Sequence, residues 1–212
     1  SATSTAVTSL TSPTLTKRVY GKIEDMNGQL PLVDVHAHLL AVLTPENLFP
    51  MMDTCGTSRV VLMPRQSGQD VGEGVPEDYV FKFYGKDPER IIPFIGMMRP
   101  ILGEHPERWL RPDAQAQQFL NFVESQLKTG IFKGMGEFIM RHYEYHTRDG
   151  KFVNPDVDVP IDSPLFYRFL DLAQKYDVPV DVHLEIDSKT LPLLEKVLQN
   201  RPNAKFILAH CG

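Results

Sequence analysis

Cysteine is scarce: Cys55 and Cys211 are the only two in 212 residues, too few for a disulfide-stapled scaffold. Basic residues do not dominate either, since 22 Lys plus Arg stand against 27 Asp plus Glu, a formal charge of −5. That balance gives no electrostatic footprint for nucleic acid or for an anionic membrane surface. No apolar run approaches the ~20 residues that a membrane-spanning helix needs. Also missing is a glycine-rich G-x-G-x-x-G turn after the first strand-like run, which counts against a dinucleotide-binding sheet. With 42% hydrophobic and 23% charged residues, 14 Gly and 17 Pro, the chain is neither disordered, collagen-like nor coiled-coil.

The N-terminus differs in kind. Ser1 to Thr16 holds ten Ser or Thr and no charge, so residues 1–20 are read as a flexible tail. It lacks the basic start and apolar stretch of a signal peptide but fits the remnant of one, so cytoplasmic and exported locations both stay open. Residues 21–212 are read as a single domain.

Within that domain two textures alternate. Short apolar, β-branched runs at residues 32–36, 59–63, 91–97, 131–137, 178–183 and 205–210 read as strands buried on both faces. Amphipathic stretches lie between them. In residues 114–128, Ala116, Phe119, Leu120, Val123 and Leu127 recur at helical spacing and define one apolar face. Ser163-Pro164 supplies an N-cap and a first-turn proline for a second helix, with Phe166, Phe169, Leu170 and Ala173 on one side. A third begins at Asp187 or Ser188 and runs to about Gln199. Six strands alternating with helices predict parallel βα units, at the pace of a (β/α) barrel. The connection from Phe138 to Asp162 is long and shows no helix of its own, which marks it as a functional loop.

The histidines carry the chemistry. His36 and His38 end the first strand, His183 the fifth and His210 the sixth, while Glu137 ends the fourth. In a parallel barrel the C-terminal strand ends converge on one mouth, where catalysis resides. Residues i and i+2 of a strand share a face, so His36 and His38 can grip one ion together. A lone strand-end histidine is usually structural, but four with a glutamate at the same end of successive strands predict a metal site. His105, between Glu104 and Pro106, is expected to be a solvent-exposed loop residue.

These residues carry a resemblance. Val33-Asp34-Val35-His36-Ala37-His38 resembles the opening HxH strand of the amidohydrolase superfamily. Phe132 to Phe138, Val182-His183-Leu184-Glu185 and Ile207 to Gly212 are similar to its fourth, fifth and sixth strands. The nearest branch is that of the amidohydrolase-related metal-dependent hydrolases, which includes nonoxidative decarboxylases. The resemblance implies a distorted (β/α)8 barrel holding one or two divalent ions, with zinc preferred. It implies His36, His38 and His183 as ligands and Glu137 as a carboxylate able to bridge two ions. His210 is then a ligand of a second ion, or an acid/base group beside a single one. Lys133 is expected at the bottom of the barrel rather than among the ligands.

Against that family pattern, a strand-eight aspartate has no counterpart, and six βα units do not close an eight-stranded barrel. The expectation is therefore a barrel domain incomplete at its C-terminus. The expected function is hydrolysis of an ester, lactone or amide bond in a small substrate, with His210 and Glu137 as catalytic residues. Arg141 is expected to clamp a substrate carboxylate and His142 to line the same pocket. The alternatives are a metal-dependent decarboxylase on the same scaffold, or a barrel fragment without activity. A small molecule is the expected partner, with no nucleic acid; self-association is left open.

Overall fold

Six strands run parallel in the order in which they occur along the chain. They are β1 (Leu32–Leu39), β2 (Thr57–Pro64), β3 (Ile91–Gly96), β4 (Gly134–His142), β5 (Pro179–Leu184) and β6 (Lys205–Leu208). Sequential order is the signature of a singly wound βα arc, because a doubly wound sheet reverses direction at a switch point. The fold is thus the parallel half-barrel that the alternating textures predict. These elements belong to the unit Leu32–Gly212. The computed structural model describes residues 31–66, 74–150 and 152–211. The Ser/Thr-rich tail expected at residues 1–20 lies outside them.

Four longer helices cover one face of the sheet: α1 (Pro45–Cys55), α2 (Ala114–Leu127), α3 (Pro164–Tyr176) and α4 (Thr190–Asn200). The α2 core face consists of Ala116, Phe119, Leu120, Val123 and Leu127, all buried, the same five residues that the sequence spacing picks out. Its start is fixed by Asp113, whose carboxylate accepts the Ala116 N–H at 2.8 Å. Helix α3 begins after Ser163 as expected, yet the serine hydroxyl makes no capping bond and is buried without a partner. Proline at the first turn, needing no hydrogen bond for its nitrogen, and the buried Phe166 and Phe169 suffice to start it. Helix α1 ends where Gly56 enters the left-handed region at φ +70, leaving Cys55 exposed. Helix α4 starts two or three residues later than expected, because Asp187 spends its carboxylate on the Lys189 and Thr190 amides, 2.7 Å each.

Strand alternation sorts the side chains into two layers. On β2, Val60 and Leu62 join the large helix-side core, while Val61 and Met63 pack with Phe94 of β3 on the opposite, inner face. On β5, Val180, Val182 and Leu184 face the helices, so Asp181 and His183 face inward. The long connection after β4 contains short strands that periodicity could not reveal. Tyr145–His146 pairs with Phe152–Asn154, and Val157–Asp158 runs antiparallel to the end of β4. Among the described residues, no helix is long and apolar enough to cross a membrane.

Adjacent strands approach so closely at Gly96 that an added Cβ would run into the Pro64 carbonyl. Backbone cannot swing aside as a flexible side chain can. Gly96→Ala is therefore expected to cost about 1–3 kcal/mol, the usual penalty for overpacking. A urea denaturation midpoint equal to that of the parent chain would contradict this.

Candidate metal centre

The centre is built around one carboxylate. Glu137 lies on β4 and is only 3% exposed. Three residue steps along β4, from Met135 to Phe138, span the same length as two along β5, from Val180 to Val182. That register slip keeps Met135 and Phe138 both in the helix-side core and turns Glu137 to the inner face. The strand continues beyond Glu137 to His142, so the glutamate does not end it as the sequence suggested.

Four histidines from three other segments surround this carboxylate. His183 Nδ1 lies 3.0 Å from Glu137 Oε1, and His38 Nε2 lies 3.2 Å from Oε2. His36 Nε2 and His210 Nε2 lie 3.7 and 3.6 Å from Oε1. The rings of His36 and His38, His36 and His210, and His183 and His210 are each 5.0 Å apart. His210 reaches the group from the turn after β6, with its backbone in the left-handed region at φ 56. A non-glycine residue there is strained, and such strain gathers at functional sites.

Electrostatics follow from this packing. Burial, the largest influence, pushes the Glu137 carboxyl up, but hydrogen bonds from His183 and His38 and the charges of His38 and His36 outweigh it. The group is held well below the usual carboxylate range. His36 is raised chiefly by its hydrogen bond to Asp181, against burial. Burial lowers His183, while the bond to Glu137 and the charges of Glu137 and Glu185 outweigh it and raise the imidazole.

Sequence reasoning missed two carboxylates. Asp181 is fully buried, and both its oxygens lie 3.1 Å from His36 Nδ1. Glu185 sits 3.8 Å from His183 Nε2 and accepts the Tyr143 N–H at 2.8 Å. Asp181, His183 and Glu185 are spaced by two along one strand line, and an aspartate inside the apolar run of β5 was the available signal.

The two expected pocket residues separate. A second register slip, between Ile139 and Arg141, brings the His142 ring to 4.9 Å from that of His183. The Nδ1 of His142 is buried without a hydrogen-bond partner. Arg141 is also buried, but its Nη1 donates to Asp156 and to the Val157 carbonyl, 2.8 Å each, and the guanidinium stacks on Tyr143 at 3.8 Å. Its contacts are those of a pin that holds the long loop. Lys133 donates to the Gly130 carbonyl at 2.6 Å, away from the cluster, and His105 is exposed beside Glu107.

The donor set suits a divalent ion. Imidazole nitrogens and a carboxylate accept zinc, manganese or iron. Within the cluster the buried Nε2 of His36 has no hydrogen-bond partner, as expected of a nitrogen whose partner is an ion. His36, Glu137 and His210 offer ligand atoms within 4.8 Å of one another, and so do His142, His183 and Glu185.

The amidohydrolase family model matches residues 124–212, the stretch that carries Glu137, His183 and His210. His36 and His38 lie upstream of the match. No curated protein matches the chain. Among solved structures, a probable 2-pyrone-4,6-dicarboxylic acid hydrolase from Acinetobacter baumannii, with citric acid bound, is similar at 14% identity and a TM-score of 0.46. The alignment covers 84% of this chain and 57% of that one. A 2,6-dihydroxybenzoate decarboxylase from Rhizobium is 15% identical with a TM-score of 0.45, covering 83% of this chain and 65% of that one. A dihydroxybenzoic acid decarboxylase from Polaromonas, with bound manganese and the inhibitor 2-nitroresorcinol, is 14% identical over 83% of this chain and 64% of that one, with a TM-score of 0.42. This chain spans less than two-thirds of the length of each.

Proposed function

We propose that the chain is the metal-binding part of a hydrolase that cleaves an ester, lactone or amide bond in a small substrate. One observation carries this. The two oxygens of Glu137 face different partners, Oε2 toward His38 and Oε1 toward His36, His183 and His210, a division that would let the carboxylate serve two ions. His36, His38, His183 and His210 would complete the ligand set, with zinc the preferred ion. A divalent ion in this position supplies Lewis acidity that polarises a carbonyl and acidifies water.

The protein's own groups supply the rest. Beside a single ion, His210, the most exposed of the cluster at 60%, would instead be free to hold or deliver a proton at the substrate's leaving group. His142 offers its unpartnered nitrogen to a polar substrate atom, while Arg141 shapes the wall beside it rather than reaching inward. A decarboxylase built on a single ion is the second reading, favoured by the exposed position of His210 beside a carboxylate that is already occupied by other histidines.

Elemental analysis of the purified chain, combined with ester, lactone and carboxylate substrates, tests both. Two ions per chain with hydrolysis are expected. One ion with release of carbon dioxide would replace the first reading with the second, and a chain that takes up no metal would end both.

A further inference from the structure

We infer that Asp181 is a positioning residue that fixes the imidazole of His36 in the tautomer whose bare Nε2 faces the metal centre. The inference rests on the metal-binding reading above and assigns a part to a residue outside the ligand set.

The geometry has three components. Both oxygens of Asp181 address the same atom, His36 Nδ1, at 3.1 Å. A carboxylate only accepts, so the proton between them sits on the imidazole, and Nδ1 is the donor. The other ring nitrogen is then without hydrogen, and it is this Nε2 that is buried, unpartnered and turned toward Glu137. A carboxylate that holds the outer nitrogen of a ligating histidine also raises the basicity of the inner one.

Second, Asp181 has little freedom to do anything else. It is 0% exposed, and His36 is its side-chain hydrogen-bond partner among the described residues. Its Cβ lies where a side chain at Gly136 would meet it, at 2.5 Å from the position an added Cβ would take. The missing side chain at Gly136 lets the aspartate lie flat against β4, one residue before Glu137. The same pair of strands thus sets both the central carboxylate and the group that orients His36.

Third, a fully buried carboxylate with a single histidine partner is a costly arrangement for structure alone. An apolar residue, like its neighbours Val180 and Val182, would serve a strand better.

The test uses the full 212-residue chain. Nitrogen-15 NMR of the metal-free protein at alkaline pH reads the His36 tautomer, with assignment by a His36→Gln variant. Protonation at Nδ1 is expected, and protonation at Nε2 would overturn the inference without any variant of Asp181. Zinc titration then compares the parent chain with Asp181→Asn, which keeps the shape but can donate as well as accept. Affinity is expected to fall roughly 10–100-fold, with the number of ions at saturation unchanged. Equal affinity in the two proteins would overturn the inference. Should the parent chain bind no zinc, the metal reading fails, while the tautomer still decides whether Asp181 orients His36.

Discussion

Glu137→Gln is expected to weaken zinc binding by roughly a hundredfold or more. Structural zinc sites with about four ligands are worth on the order of 10–16 kcal/mol, so one ligand carries about 3 kcal/mol. The amide retains the volume of the carboxylate in a site only 3% exposed, so packing on β4 is preserved. The negative charge is not. Four histidines would then surround a neutral group, and their mutual repulsion in the protonated form would no longer be offset. Competition against a chelator of known affinity measures the change. Retention of full affinity would mean that the histidines hold the ion without the carboxylate, and Glu137 would cease to be the hub of the site.

Glu77→Ala is expected to produce the largest loss of stability, about 3–5 kcal/mol, the cost of leaving a buried charge without its partner. Glu77 and Arg99 are both buried and paired to each other. Glu77 also accepts the Gly96 N–H at 2.9 Å, and Arg99 Nε donates to the Gly96 carbonyl at 2.7 Å. Burial lowers the Arg99 guanidinium only to about 10, so it stays charged at neutral pH. Removing the carboxylate strands a guanidinium held over the Phe119 and Phe122 rings. Met97, beside Gly96, donates to the Gly136 carbonyl at 2.8 Å, so the loosened end of β3 would also disturb β4 next to Glu137. Chemical denaturation gives the stability, and a double replacement of Glu77 and Arg99 by methionine should recover most of the loss. A single variant as stable as the parent chain would show that the pair is dispensable.

Much of this was legible because side-chain periodicity reports burial directly. The five core residues of α2 and the inward histidines of β1 and β5 follow from spacing alone. What escaped depends on register. Glu137 and His142 were expected at the site, but the two slips between β4 and β5 that turn them to the inner face were not, since no pattern in a single strand encodes a slip against its neighbour. Arg141 was expected in a loop above the site because the fourth strand was read as ending at Glu137; the strand runs on to His142, and the guanidinium turns to Asp156 instead. Asp181 was passed over because its significance lies in a partner 145 residues away. The two- and three-residue strands of the long loop are too short to show any period.

The outer strands give the site a property of their own. Among the described residues β1 pairs only with β2 and β6 only with β5, and Leu32, Val33, Val35 and Leu208 are exposed. Amide hydrogens there should exchange sooner than those of β2 to β5, since exchange follows local opening. Yet β1 supplies His36 and His38, and the turn after β6 supplies His210. On the proposed reading the ion is a clasp. It ties the first and last strands to the rigid middle of the sheet and would slow exchange farthest from where the chain is already firm.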